Sequence, residues 1–186
     1  MTEQQVYRVV ESLGDVELRE YSPWVVAEVV VTGPADEAAS TAFRPLFSYI
    51  SGANREAAPL AMTAPVIQQA AGERLAMTAP VIQESAGPEQ WVVGFVLPGS
   101  RPLEDYPTPT DPRVCLRQVP AQLAAALRWS GRWTTGNVTR RTDELRRHIA
   151  EAGWEVAGDP RWARFDPPWK PPFARRNEIV IPVHPR

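Results

Sequence analysis

Two histidines, His148 and His184, and one cysteine, Cys115, are the side chains on which metal or nucleophilic chemistry would first be sought. Metal ligation needs several His, Cys, Asp or Glu close together, and neither histidine has a second ligand at helical or loop spacing. A zinc site is therefore not expected. His148 reads as a surface residue at a helix margin, and His184 as part of a terminal segment. Cys115 lies in an alternating apolar run and is expected to be a small buried hydrophobe, not a nucleophile. The carboxylate pairs Glu104, Asp105 and Asp143, Glu144 fall in a loop and on a helix, where solvated charge is their ordinary role. No GxGxxG, P-loop or GxSxG pattern occurs. No catalytic residue and no metal site is assigned on this basis. The chain instead carries a binder's inventory: 7 Trp, 5 Phe, soft methionines, and a proline-stiffened loop ending in Arg175 and Arg176.

The elements that position these groups follow from length and pattern. At 186 residues, 44% hydrophobic, the chain can bury one sizeable core. A net charge of −2 gives no electrostatic pull toward nucleic acid or an anionic membrane. The single cysteine rules out an internal disulfide framework and fits a reducing compartment. Residues 1–5 are polar and no signal-length apolar run follows, so a cytoplasmic location is expected. No apolar stretch is long enough for a transmembrane helix.

The most distinctive segment is 60–83. It reads LAMTAPVIQ, then QAAGER, then LAMTAPVIQ again. Each copy has the length of one strand, and Gly72 suits a reversal between them, so an antiparallel hairpin is expected. Alternation places Leu60, Met62, Ala64 and Val66 on one face, and Leu75, Met77, Ala79 and Val81 on the equivalent face. Pro65 and Pro80 lack an N–H and belong at an edge, a strand start or a bulge.

Strands are also expected over 6–11, 16–21, 24–32, 90–98, 113–119, 124–130, 162–166 and 177–183. Gly94 suggests a bulge. A first helix opens near Pro34 and stops at Gly52, with the stripe Ala39, Phe43, Leu46, Ile50 widened by Phe47. Pro45 conflicts with it, which predicts a bend near residue 41 or a later start. A second helix is capped by Thr135 or Asn137, carries Val138, Leu145, Ile149 and Ala152 inward, and closes at Gly153. Each half thus reads strand, strand, helix, strand, strand, with an extra strand in the first. A single α+β domain over 1–186 is expected, with pseudo-repeats at about 6–98 and 113–184 joined by a linker at 99–112.

Several stretches together resemble the SOUL family of haem-binding proteins. They are LGDVELREYSPWVVAEV, AFRPLFSYISGAN, the doubled AMTAPV, WVVGFVLP, DPRVCLRQVPA and FDPPWKPPFARRNEIVIPV, in order over nearly the whole chain. The resemblance implies a distorted antiparallel β-barrel of about eight strands, built from two pseudo-twofold repeats and flanked by two helices. It implies a haem or related tetrapyrrole held non-covalently in an apolar groove beside the first helix, with basic groups near the propionates. Carried over by position, Lys170 offers the basic group. Ser40 and Ser48 stand where one branch has basic residues, and Arg44 between them is the substitute. Glu20 occupies the position of a proposed axial histidine, so no axial ligand is assigned there; Tyr21, Met62 and Met77 are the remaining candidates. Phe43, Arg44, Phe47, Met62, Met77 and Lys170 are the expected binding residues. The function implied is a tetrapyrrole carrier or buffer of modest affinity. The alternatives are a general effector-binding module, as the related fold serves in bacterial regulators, and a demetallating enzyme using Glu20 as proton acceptor.

Overall fold

The computed structural model of the protein describes residues 3–55, 72–99, 101–167 and 169–184. Its first half holds β1 (Glu3–Gln4), β2 (Arg8–Leu13), β3 (Val16–Tyr21), β4 (Trp24–Thr32), α1 (Ala38–Ile50), β5 (Asn54–Arg55), β6 (Thr78–Ala79), β7 (Val81–Gly87) and β8 (Gln90–Val96). Its second half holds β9 (Thr108–Pro109), β10 (Cys115–Val119), β11 (Gln122–Trp129), α2 (Thr135–Glu151), β12 (Glu155–Val156), β13 (Arg161–Arg164) and β14 (Asn177–His184). Short 3-10 turns occur at Leu103–Asp105 and Pro172–Ala174.

The fold is α+β, with two helices on a large antiparallel sheet in the order β10-β4-β8-β7-β13-β14-β11-β3-β2. Outward from the β7–β13 boundary the two sides match in kind: β8, β4 and β10 on one, β14, β11 and β3 on the other. The outer strand of each trio comes from the opposite half of the chain, since β10 pairs with β4 and β3 with β11. The expected barrel is not closed: β10 and β2 end the path, and no ladder joins them among the described residues.

One face of the sheet carries both helices. Under α1, Ala42, Leu46, Tyr49 and Ile50 pack on Val25, Ala27, Val93 and Phe95. Under α2, Leu145 and Ile149 pack on Leu127, Ile179 and Ile181. The opposite, inner face has its own core of Tyr21, Trp24, Val26, Ile82, Val96, Ala124, Ala126 and Val180.

Four local expectations are corrected. First, α1 begins at Ala38, because Pro34 to Glu37 form a turn in which Glu37 and Ala38 N–H both reach the Pro34 carbonyl. The helix runs through Pro45 and buries Ala38, Ala42, Pro45, Leu46, Tyr49 and Ile50. That stripe, rotated from the expected one, brings small side chains to the sheet and leaves Phe43 and Phe47 outside. Second, the second copy of the repeat is not one strand. A cis Ala79–Pro80 bond separates β6 from β7. Val81, Ile82 and Gln83 are flanked by β8 and β13; the expected hairpin needs the first copy as well. That first copy, with Met62, lies outside the described residues. Third, Cys115 is exposed, because β10 is an edge strand. Fourth, Gly94 marks a close approach and not a bulge: a Cβ there would lie 2.5 Å from Val26 Cγ2.

The second helix is as expected in its stripe and stop; its cap is Thr134, whose side chain accepts from Asn137 N–H at 3.3 Å. The 99–112 stretch is pinned down. Tyr49 Oη donates to the Pro107 carbonyl (2.9 Å), Tyr106 is buried, and β9 pairs with β5.

Candidate functional site

The inner side of α1 is fully packed, so its chemistry is all on the outer side. Phe43 and Phe47, one helical turn apart, are 43% and 45% exposed. Their rings stack at 5.5 Å with planes 12° apart, and Phe43 meets the buried Phe95 edge-on at 5.8 Å. The result is a half-open aromatic shelf anchored in the core at one corner. Arg44, between them in sequence, is exposed and forms no ion pair among the described residues. Met77, 39% exposed, lies between two anchors: Leu75 N–H donates to the Ile50 carbonyl at the end of α1 (2.8 Å), and the Thr78 hydroxyl to the Val96 carbonyl.

The sheet register relates the segment leading to Lys170 to this region. Phe95 pairs with Val81, and Val81 with Arg164, so Arg164 stands two strand spacings from Phe95, about 10 Å. From there the chain enters the proline-rich loop that carries Lys170. Its ammonium is 2.7 Å from Asp166 Oδ1, and Arg176 N–H donates to Asp166 Oδ2 at 2.6 Å. Burial works against the Asp166 charge, but the Lys170 and Arg176 donors hold its carboxyl below the usual range. The loop also presents Trp169 and Phe173, both more than four-fifths exposed. Thus the structure brings Phe43, Phe47 and Arg44 onto one helix face, places Met77 in the irregular segment just before β6, and engages Lys170 with Asp166. Glu20 is exposed and bound to Arg8 at 2.6 Å, a carboxylate in water and not a desolvated base.

The inner face holds groups that sequence reasoning missed. Glu178, almost fully buried, accepts two bonds from Arg19 (2.6 and 3.2 Å) and two from Arg176 (2.9 and 2.7 Å). Arg19 also reaches Glu17 at 2.7 Å and lies over the Tyr7 ring at 4.1 Å. Burial disfavours the Arg19 charge, but Glu178 more than offsets this and raises its pKa. On the other side, Arg117 bridges Glu28 (2.8 Å) and Glu84 (3.4 Å). The available signal was a charged residue at an inward register of an apolar strand, as in Asn177–His184, though its partner lies 159 residues away.

Near Glu178, a cavity of about 20 Å³ is lined by Tyr21, Trp24, Ile82, Arg161, Phe165 and Val180 among others. That is room for one water, far below the roughly 300–1,000 Å³ of sites for drug-sized ligands. A wider hollow of about 390 Å³ touches Asp15, Glu17, Arg19, Arg128 and Arg176, a charged lining unsuited to an apolar macrocycle. No helix is long and apolar enough to cross a membrane among the described residues.

A family model described as SOUL heme-binding protein matches residues 2–182. No curated protein matches the chain. Among solved structures, the C-terminal domain of EcmrR is similar at 13% identity, with 97% of this chain and 99% of that one covered and a TM-score of 0.65. A hydrolase from Listeria innocua is similar at 12% identity, with 94% of each chain covered and a TM-score of 0.59. At these identities the two structures share a fold with this chain, and their activities do not transfer.

Proposed function

This chain belongs to the SOUL heme-binding family, and from that premise we propose that it binds a haem-type tetrapyrrole non-covalently on the outer side of α1, as a carrier or buffer of modest affinity. The carrying observation is the stacked pair Phe43–Phe47, held half-exposed on a helix whose other side is closed. A flat macrocycle laid on this shelf removes both ring faces from water, a gain of about 25 cal/mol per Å² before ordering costs. Met77 extends the apolar border in this reading. Arg44 and Lys170 meet the propionates at the rim, where exposed ion pairs contribute only about 0–1 kcal/mol each. Lys170 must share its charge with Asp166, which lowers its contribution further.

The residues fit the ring and the propionates better than the iron. The position of the axial histidine proposed for one branch of the family is Glu20, whose carboxylate is paired with Arg8. His148 faces Glu151 on α2 at 3.6 Å, and His184 ends β14. Bound haem supplies its own redox and ligand-exchange chemistry, while this chain orients the ring and neutralises its edge. Affinity should therefore owe little to the metal. Titration of haem and of metal-free protoporphyrin IX, followed by the Soret band and tryptophan quenching, is expected to give micromolar affinities for both, about −8 kcal/mol. The two values are expected to lie within about threefold, under 1 kcal/mol. Saturation by haem alone would show an iron ligand that this account lacks, and saturation by neither would end the proposal.

A further inference from the structure

On the face of the sheet opposite the helices, Arg161 of β13 stands out. It is 8% exposed, yet no carboxylate lies within ion-pair distance of it among the described residues. The carboxylates nearby are already engaged: Glu84 with Arg117, and Glu178 with both Arg19 and Arg176. The Gln122 amide, turned with its oxygen inward, accepts from both terminal nitrogens of Arg161 at 2.8 Å. These bonds satisfy two donors but put no carboxylate in contact with the charge; the nearest, Glu84, its cross-strand neighbour, attracts it from beyond ion-pair distance and is shared with Arg117. A buried guanidinium with no carboxylate in direct contact is unfavourable, and an anion brought into contact with it would relieve that cost. Burial accordingly pushes the Arg161 pKa down.

A second buried donor is close by. Arg161 lies over the Trp24 ring at 5.0 Å, and Trp24 Nε1 is buried with no acceptor. Both residues line the small inner cavity, whose other walls include Ile82, Val180, Pro80 and Phe165. Gln5 and Tyr7 complete its lining on one side. The segment before them is held by a two-residue parallel ladder, β1 on β6, and by Gln5 N–H to the Ala79 carbonyl at 2.9 Å. Arg176 also donates to Gln4 Oε1 (3.1 Å) and Tyr7 Oη (3.4 Å), and Arg19 lies over the Tyr7 ring at 4.1 Å. A ligand's tail has to displace these few contacts together with the two-residue ladder.

We propose that this inner cleft is a second ligand site, for a small apolar monocarboxylate whose carboxylate pairs with Arg161 and whose tail takes the place of the Gln5–Tyr7 segment against the apolar walls. The room of about 20 Å³ already present accommodates an oxygen of the head group. One guanidinium with no carboxylate in contact selects a ligand with one negative charge. A cationic guest finds no free carboxylate, because two guanidiniums saturate Glu178. The site is separate from the aromatic shelf of α1, which lies on the other face of the sheet.

Calorimetric titration of the full chain with 3-phenylpropionate, 3-phenylpropionamide and 3-phenylpropylammonium tests this. The carboxylate is expected to bind at least tenfold more tightly than the amide or the ammonium. Arg161→Gln is expected to bring it down to the amide's level, with folding checked by far-UV circular dichroism. If that variant does not fold, the three-ligand series on the unaltered protein decides alone. Saturating protoporphyrin IX is expected to leave the carboxylate's affinity unchanged. The proposal is overturned if the ammonium or the amide binds as tightly, if the carboxylate shows no heat at millimolar concentration, if a folded Arg161→Gln binds it undiminished, or if protoporphyrin displaces it.

Discussion

Glu178→Gln is expected to lower the free energy of unfolding by about 3–5 kcal/mol, the usual scale for removing one partner of a buried ion pair. Glu178 is 1% exposed and receives both Arg19 and Arg176. The amide keeps the shape but removes the negative charge. Arg19 is then left buried with only Glu17, whose side chain is more than a third exposed and screened by water. The Tyr7 contact does not replace the lost anion, since a ring face is worth about 0.5–2 kcal/mol to a cation. Replacing both partners, Arg19→Met with Glu178→Leu, is expected to recover most of the loss, because neither charge then has to be desolvated. Urea unfolding of the three variants measures this. A loss under about 1 kcal/mol for Glu178→Gln would mean that the pair behaves as a surface salt bridge.

Replacing Phe43 and Phe47 together by alanine is expected to weaken protoporphyrin IX binding about 10- to 100-fold, or about 1.4–2.8 kcal/mol. Each ring presents nearly half its surface to water. Covering about 80 Å² of each at about 25 cal/mol per Å² gives an upper bound near 4 kcal/mol, from which ordering costs subtract. Folding stability is expected to fall by under about 1 kcal/mol per site, as both rings are nearly half exposed, though Phe43 meets the buried Phe95 edge-on. That separation makes the pair informative: affinity changes while the fold persists. Unchanged affinity in a stable double variant would remove the shelf from the account.

Where one residue pattern dominates, the chain was readable. Val16–Tyr21 and Trp24–Thr32 are the strands that alternation and the Ser22, Pro23 break predict. The stripe of α2 was legible because Leu145 and Ile149 are its only large buried apolar side chains. In α1 two apolar stripes compete. Phe43 and Phe47 outweigh Ala38, Ala42 and Pro45 by hydrophobicity, but the small side chains let the helix lie close to the sheet, and packing won over pattern. Of the candidate site, the shelf was legible because helical spacing alone sets Phe43 beside Phe47. The engagement of Lys170 with Asp166 was not, since no regular period governs the loop DPPWKPPF. Nor was the exposure of Cys115, which depends on β10 being an edge strand. The inner ion network was least accessible, because Arg19 and Glu178 meet only after β3 has crossed to pair with the second half's β11.

The central claim is positional: a planar tetrapyrrole lies flat on the outer side of α1. Ring-current shifts report this directly, since a bound porphyrin moves the resonances of protons above its face. Proton NMR of the protein saturated with diamagnetic, metal-free protoporphyrin IX is expected to show its largest upfield shifts at Phe43 and Phe47, with smaller ones at Met77 and Lys170. Largest shifts at Tyr21, Trp24 and Ile82, in the inner cleft, would contradict the account.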